Sequence, residues 1–309
     1  MNRLVPDYYL AFACIKERCR HNCCIGWEID IDEESYQKYQ AVTGVFGERL
    51  QEGIVTQDST KVFRLGEGER CPFLNDRNLC DIILHLGEDH LCHICNNHPR
   101  FVNYFSDREE WGLGLCCEAA AELIIKKKEP VTFLERDGFD VEWQEPEETI
   151  FFATREEIYD MLQNRERTVA ERMQAVMERW QIQLPSWGFP RWADELAKLE
   201  RLDSAWEEEL NRLSLVHTTL QAWTDDWELA WEQLLMYFVY RHLAESVYDG
   251  RFRERLAFSL QSVMLLQGLS ANREGMTLTD LAELARQYSA EIEYSEENME
   301  EMLSVLQQK

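Results

Sequence analysis

Residues 14–27 read Cys14-Ile-Lys-Glu-Arg-Cys19-Arg-His-Asn-Cys23-Cys24-Ile-Gly-Trp27, with four thiols in eleven positions. Read as a helix, the stretch sets Cys19 and Cys23 one turn apart on one face and turns Cys24 about 100° away. Buried cysteine often serves as a small hydrophobe. That role accounts for one or two thiols here, but not for four set among Lys16, Glu17, Arg18, Arg20 and Asn22. The grouping points instead to a metal ion or an iron–sulfur cluster.

Outward from this stretch, the ten cysteines fall at 14, 19, 23, 24, 71, 80, 92, 95, 116 and 117, leaving the remainder of the 309 residues without one. This asymmetry predicts two domains. No secretory signal is visible, because the run from Tyr8 to Ile15 is short and lacks a cleavage pattern. A cytoplasmic location is expected, where thiols stay reduced and clustered cysteines act as ligands or reactive groups. No apolar stretch approaches the length of a membrane span, so no membrane partner is expected. The net charge of −26, carried mostly by residues 129–309, repels phosphate backbones and argues against nucleic acid. It suits a basic protein surface, or simply keeps a helical surface solvated.

The first half reads as short elements. Trp27 to Asp32 alternates like a short strand, Asp32 is placed to cap a helix over 33–41, and residues 54–65 fit a strand or hairpin. Cys71-Pro-Phe-Leu then leads through a polar turn to Cys80. Cys92-His-Ile-Cys95 precedes His98-Pro-Arg-Phe101, and Cys116-Cys117 opens a helix ending in three lysines. Residues 129–150 read as a linker. Beyond them Thr154 to Glu157 reads as a capping box opening a helix to about Trp180. Further helices are expected over 191–213, 216–248, 252–267, 278–290 and 296–307. Trp223, Trp227, Trp231 and Phe238 mark the central one.

The predicted fold is mainly α: a cysteine-rich, mostly helical N-terminal metal-binding domain (1–128) packed on a C-terminal helical bundle (151–309). The cysteine spacing fits neither a zinc ribbon nor the radical pattern Cys-x3-Cys-x2-Cys, whose third position is Gly26 here. Thiolate shells suit zinc and iron–sulfur centres alike, and the vicinal pairs also admit redox chemistry. Gly112-Leu-Gly114 fails as a dinucleotide loop because Cys117 stands where a small residue is needed. His217 and His242 stand alone and read as core or surface residues.

Four ordered blocks carry a resemblance. They are Cys-x4-Cys-x3-Cys-Cys-x-Gly-Trp, Cys-Pro-Phe-Leu…Leu-Cys, Cys95-x2-His98-Pro-Arg-Phe, and Leu115-Cys116-x-Glu-Ala-Ala in residues 8–125. Together they resemble the FliB-type flagellin lysine N-methylases and the wider group of cysteine-cluster, metal-chelating domains. The resemblance implies a methyltransferase acting on flagellin lysines with S-adenosylmethionine and a cysteine-bound 4Fe-4S cluster, zinc being the alternative metal. It marks Cys14, Cys19, Cys23, Cys24, Cys71, Cys80, Cys95 and Cys116 as the family cysteines, with Cys92 and Cys117 outside the pattern. His98 replaces an aromatic residue. Trp27, Arg100 and Glu118, beside the blocks, are the expected cofactor contacts, with Asp30 and Asp32 as further neighbours. No catalytic residue is assigned. The competing reading is a non-catalytic, structural-zinc interaction protein.

Overall fold

A computed structural model of the chain describes residues 2–136, 145–217 and 224–307. Among them, β1 (Asn2–Pro6), β2 (Asp30–Ile31), β3 (Ile54–Gln57), β4 (Thr60–Phe63), β5 (Arg100–Tyr104), β6 (Arg108–Leu113) and β7 (Phe133–Arg136) form two sheets, and helices make up most of the rest. The chain folds as two compact units, Ala13–Arg100 and Met1–Phe12 with Phe101–Lys309. The boundary therefore lies at 100 where the cysteine distribution placed it at 128, since the first twelve residues pair with strands that follow residue 100.

In the smaller unit the sheet order is β2-β4-β3. Asp58 and Ser59 both take positive φ (44° and 73°), which closes the β3–β4 hairpin with Gln57 opposite Thr60. Asp32 caps the helix Glu33–Ala41 by accepting the Ser35 amide at 2.9 Å. The core is Ile29, Ile31, Tyr39, Leu50, Phe63, Phe73, Leu74 and Ile82, joined by Cys71 and Cys92.

Residues 14–27 are not the expected helix. They hold only a single 3-10 turn, Lys16–Arg18. The segment has no apolar stripe to bury, and its backbone finds partners elsewhere. Cys24 O accepts the Cys71 amide at 2.8 Å, Gly26 donates to Glu69 O at 3.1 Å, and Ile25 bridges Arg70. Gly26 sits at φ +79°, which ends the extended run.

In the larger unit the sheet order is β5-β6-β1-β7, with β1 parallel to β6 and antiparallel to β7. Strand β7 lies inside the segment read as a linker; residues 137–144 of that segment fall outside the described residues, as does Trp223. Gly112 permits the sheet to pack, because a Cβ there would overlap the Phe101 ring. The helix Asp225–His242 is buried along nearly its whole length. Tyr240 donates to Leu4 O and Trp111 O at 3.2 Å each, which pins that helix to β1 and β6.

The helix expected from Thr154 starts earlier, at Pro146, and ends at Leu162. Thr154 is interior, its hydroxyl donating to Ile150 O at 2.8 Å. The capping box belongs to Thr168 and Glu171, which open a second helix, Val169–Trp180. Residues 191–213 likewise divide into Phe189–Leu196 and Trp206–Ser214, while Phe252–Ser270, Leu278–Tyr288 and Glu296–Val305 follow the expected pattern. Two buried ion pairs cross the unit: Arg155 to Glu110 at 2.5 Å and Arg172 to Glu232 at 2.6 Å. No helix among the described residues is long and apolar enough to cross a membrane.

Candidate functional site

Two places gather chemically active side chains. The first is the thiol cluster of the smaller unit. The loop from Cys71 to Cys80 is folded by Asn75, whose Oδ1 accepts the amides of Arg77 and Leu79 and whose Nδ2 donates to Asp81 at 2.8 Å. Arg49 pairs with Asp81 at 2.6 Å and donates to Pro72 O at 2.6 Å, fixing the loop's entry and exit. Cys92 precedes the helix His93–Asn97, whose first amide donates to Asp32 at 2.8 Å. One carboxylate thus caps two helix starts. Tyr39 donates to His90 O at 2.7 Å and holds the approach to Cys92.

These loops bring thiols from the first and second cysteine groups close to one another. The Cys24 thiol hydrogen-bonds Cys23 and Cys71, and Cys95 hydrogen-bonds Cys92. Cys80 and Cys95 feel the charge of Cys71, and Cys95 that of Cys23. Hydrogen bonds from their partner thiols lower the pKa of Cys23, Cys71 and Cys92 against the opposing pull of burial. Cys24 and Cys95, the donors, are raised, and burial raises Cys80. The donor chemistry of these thiols fits a thiophilic metal centre, although among the described residues no group of three His, Cys, Asp or Glu is already disposed as a coordination shell.

The second place is a cavity of about 390 Å³ in the larger unit, walled by Phe101, Val102, Arg241, His242, Glu293 and Met299 among others. Glu293 closes a π-helical turn, Ser289–Glu293, that continues the helix Leu278–Tyr288. Such turns re-aim a side chain by inserting one extra residue. Glu293 Oε2 accepts from Tyr237 at 2.8 Å, meets His242 Nε2 at 2.6 Å and lies 3.3 Å from Arg241 Nε. Burial alone would raise this carboxyl; the Arg241 charge and the His242 hydrogen bond outweigh it and hold the pKa at about 2. Burial, reinforced by Arg241, lowers His242 despite Glu293, so the imidazole is neutral. An ionised carboxylate only accepts, so Nε2 carries the proton.

Of the residues singled out in the sequence, Cys23, Cys24, Cys71, Cys80 and Cys95 converge, and Cys92, outside the family pattern, joins them. Cys14 is exposed, its sulfur accepting the Lys16 amide at 3.5 Å, and Cys19 closes the 3-10 turn. Cys116 lies in the other unit, hydrogen-bonded to Tyr294 and pushed up to about 12 by burial. Trp27 and Arg100 are half-buried in the smaller unit, where Arg100 donates to Asn96 O at 3.3 Å; Glu118 is the first residue of the helix Glu118–Ile125. Burial holds the pKa of His98 down at about 4, leaving it neutral. Sequence reading missed the Arg241–His242–Glu293 group. His242 was visible as an isolated histidine, but its partner is 51 residues away in an acidic tail.

Comparison with known proteins places residues 154–309 on the model of the FliB lysine N-methylase C-terminal domain. The lysine-N-methylase of Salmonella typhimurium is 24% identical over 137 residues, which cover 42% of this chain and 34% of that protein. The flagellar biosynthetic protein FliU of Salmonella muenchen is 24% identical over 140 residues, 43% of this chain and 83% of that protein. The matched region is thus about a third of the Salmonella lysine-N-methylase's length. No solved structure matches.

Proposed function

From the premise that this chain belongs to the FliB lysine N-methylase family, we propose that it methylates the ε-amino groups of lysines on a protein substrate. The observation that carries this reading is the cavity of the larger unit, most of whose wall comes from the family-matched segment. A lysine brings a cation on an apolar four-carbon stem. The wall offers carboxylates beside Phe101, Met299 and Leu303, which suits both parts.

S-adenosylmethionine is the proposed donor. The lysine nitrogen must first lose a proton to expose its lone pair, which then bonds the sulfonium methyl carbon while the carbon–sulfur pair stays on sulfur. Trp27, Arg100 and Glu118 are the proposed contacts for this donor, on the strength of the resemblance. Flagellin is the proposed substrate: a relative is named as a flagellar biosynthetic protein, and a net charge of −26 favours the approach of a basic segment.

The thiols of Cys23, Cys24, Cys71, Cys80, Cys92 and Cys95 are proposed to hold an iron–sulfur cluster, with zinc as the alternative. A cluster, when bound, supplies redox or Lewis-acid chemistry, whereas zinc in an all-thiolate shell supplies rigidity. The decisive experiment incubates the anaerobically prepared, metal-replete chain with labelled S-adenosylmethionine and flagellin. Label on lysine is expected. Its absence overturns the methylase reading in favour of a structural-zinc protein, which would be colourless where an iron–sulfur protein is brown.

A further inference from the structure

Resting on the metal reading of the thiol cluster, we propose that Arg49 is a positioning residue of that centre: its guanidinium ties together the two ends of the Cys71–Cys80 loop and so sets the separation of those two sulfurs for a shared metal. The two cysteines stand nine positions apart, and Arg49 reaches the residue that follows each of them. One terminal nitrogen donates to Asp81 Oδ2 at 2.6 Å and the other to Pro72 O at 2.6 Å. Burial raises the Asp81 carboxyl, but the hydrogen bonds from Asn75 and Arg49 outweigh it and keep the group ionised. The Arg49–Asp81 bond is therefore charge-assisted. A planar fork also holds its two acceptors at a fixed distance from each other, which the point charge of an ammonium does not.

Arg49 belongs to the helix Gly44–Gly53, outside the loop it fastens. That helix lies close against the loop: a Cβ on Gly53 would come within 2.7 Å of the Phe73 ring and 3.4 Å of Pro72. The guanidinium sits 5.5 Å from the Phe73 ring and 5.9 Å from that of Phe46, which in turn stacks on His85 at 4.4 Å. Other bonds shape the loop from within. Asn75 N donates to Leu79 O at 3.0 Å and Asp81 N to Phe73 O at 2.7 Å, while Arg70 reaches Asn75 O at 2.6 Å. The Arg49 fork differs from these in linking both ends of the loop to a separate helix. Its charge also faces the sulfurs: the hydrogen bond with Cys24 and, to a lesser degree, Arg49 hold the Cys71 thiol low against burial. Groups that orient metal ligands from outside the coordination shell act in this way.

The test titrates the full-length chain, stripped of metal under reducing, anaerobic conditions, with cobalt(II) against a competing chelator. It also reads the sulfur-to-cobalt charge-transfer absorption at saturation, which grows with the number of thiolates bound. Arg49→Lys keeps the charge but cannot bridge both acceptors, and should weaken cobalt binding roughly 10- to 100-fold and lower the absorption at saturation. Asp81→Asn, which frees one arm of the fork, should move both readouts in the same direction and covers the case in which Arg49→Lys fails to fold. Folded variants that match the wild type in affinity would overturn the proposal. So would variants that bind more weakly yet keep the full charge-transfer absorption, because they report a loosened unit with no sulfur displaced. A wild type that takes up no cobalt sinks the metal reading, and the role of Arg49 with it; a wild type that loads beside variants that load equally well sinks the role of Arg49 alone.

Discussion

In residues 13–100 several thiols on loops are drawn inward, while in the larger unit carboxylates and guanidiniums form ion pairs deep in the core. The difference is one of what each unit can bury. The smaller has a short apolar core that counts Cys71 and Cys92 among its members. The larger wraps an extended core around the helices Asp225–His242 and Phe252–Ser270, large enough to enclose Glu110–Arg155 and Glu232–Arg172 as ion pairs. A smaller unit buries a smaller fraction of its surface, so a bound metal would add proportionally more to its stability than to that of the larger one. The proposed metal would add to the smaller unit a constraint that the larger one draws from side-chain packing alone.

The largest effect that can break this comparison is loss of metal. Cys24→Ser and Cys92→Ser should each abolish stoichiometric metal in elemental analysis, because each removes a sulfur hydrogen-bonded within the cluster, whereas Cys117→Ser should retain it. Full metal in the first two variants would dissolve the contrast. Next in size is acid sensitivity in the larger unit. Glu293 has a folded pKa near 2, below its unfolded value, so its contribution is present above the unfolded value and is lost as pH falls through about 2. The contribution is about 3 kcal/mol. Urea unfolding of wild type from pH 6 to 2 should therefore steepen relative to Glu293→Gln; parallel curves would remove the carboxylate from the account. The smallest effect is Asp32→Ala, which strips the caps at Ser35 and His93 and should cost the smaller unit about 1 to 2 kcal/mol in a denaturant melt. No change would mean that the two helix starts do not depend on it.

What could be read beforehand follows the same division. The β3–β4 hairpin and the Asp32 cap were legible, because each is decided by a few neighbouring residues. Thiol density singled out the cysteine-rich region, but not which sulfurs lie near one another, since Cys92 is placed through the turn that Asp32 and Tyr39 hold. The expected helix at 14–27 failed because pairing with residues 69–71, distant in sequence, outcompeted local helix formation. Strands β1 and β7 were hidden for a related reason: each is short, and β1 pairs with β6 and β7, both far away in sequence. The Glu293–His242 contact could not be read locally, since the two residues lie 51 apart and Glu293 falls between the expected helices 278–290 and 296–307.

Amide hydrogen exchange on metal-replete and chelator-treated protein tests the contrast most directly. Removing metal should expose the Cys71–Cys80 loop and the helix Glu33–Ala41 while Asp225–His242 and Phe252–Ser270 keep their protection. Equal protection of residues 13–100 with and without metal would contradict the account.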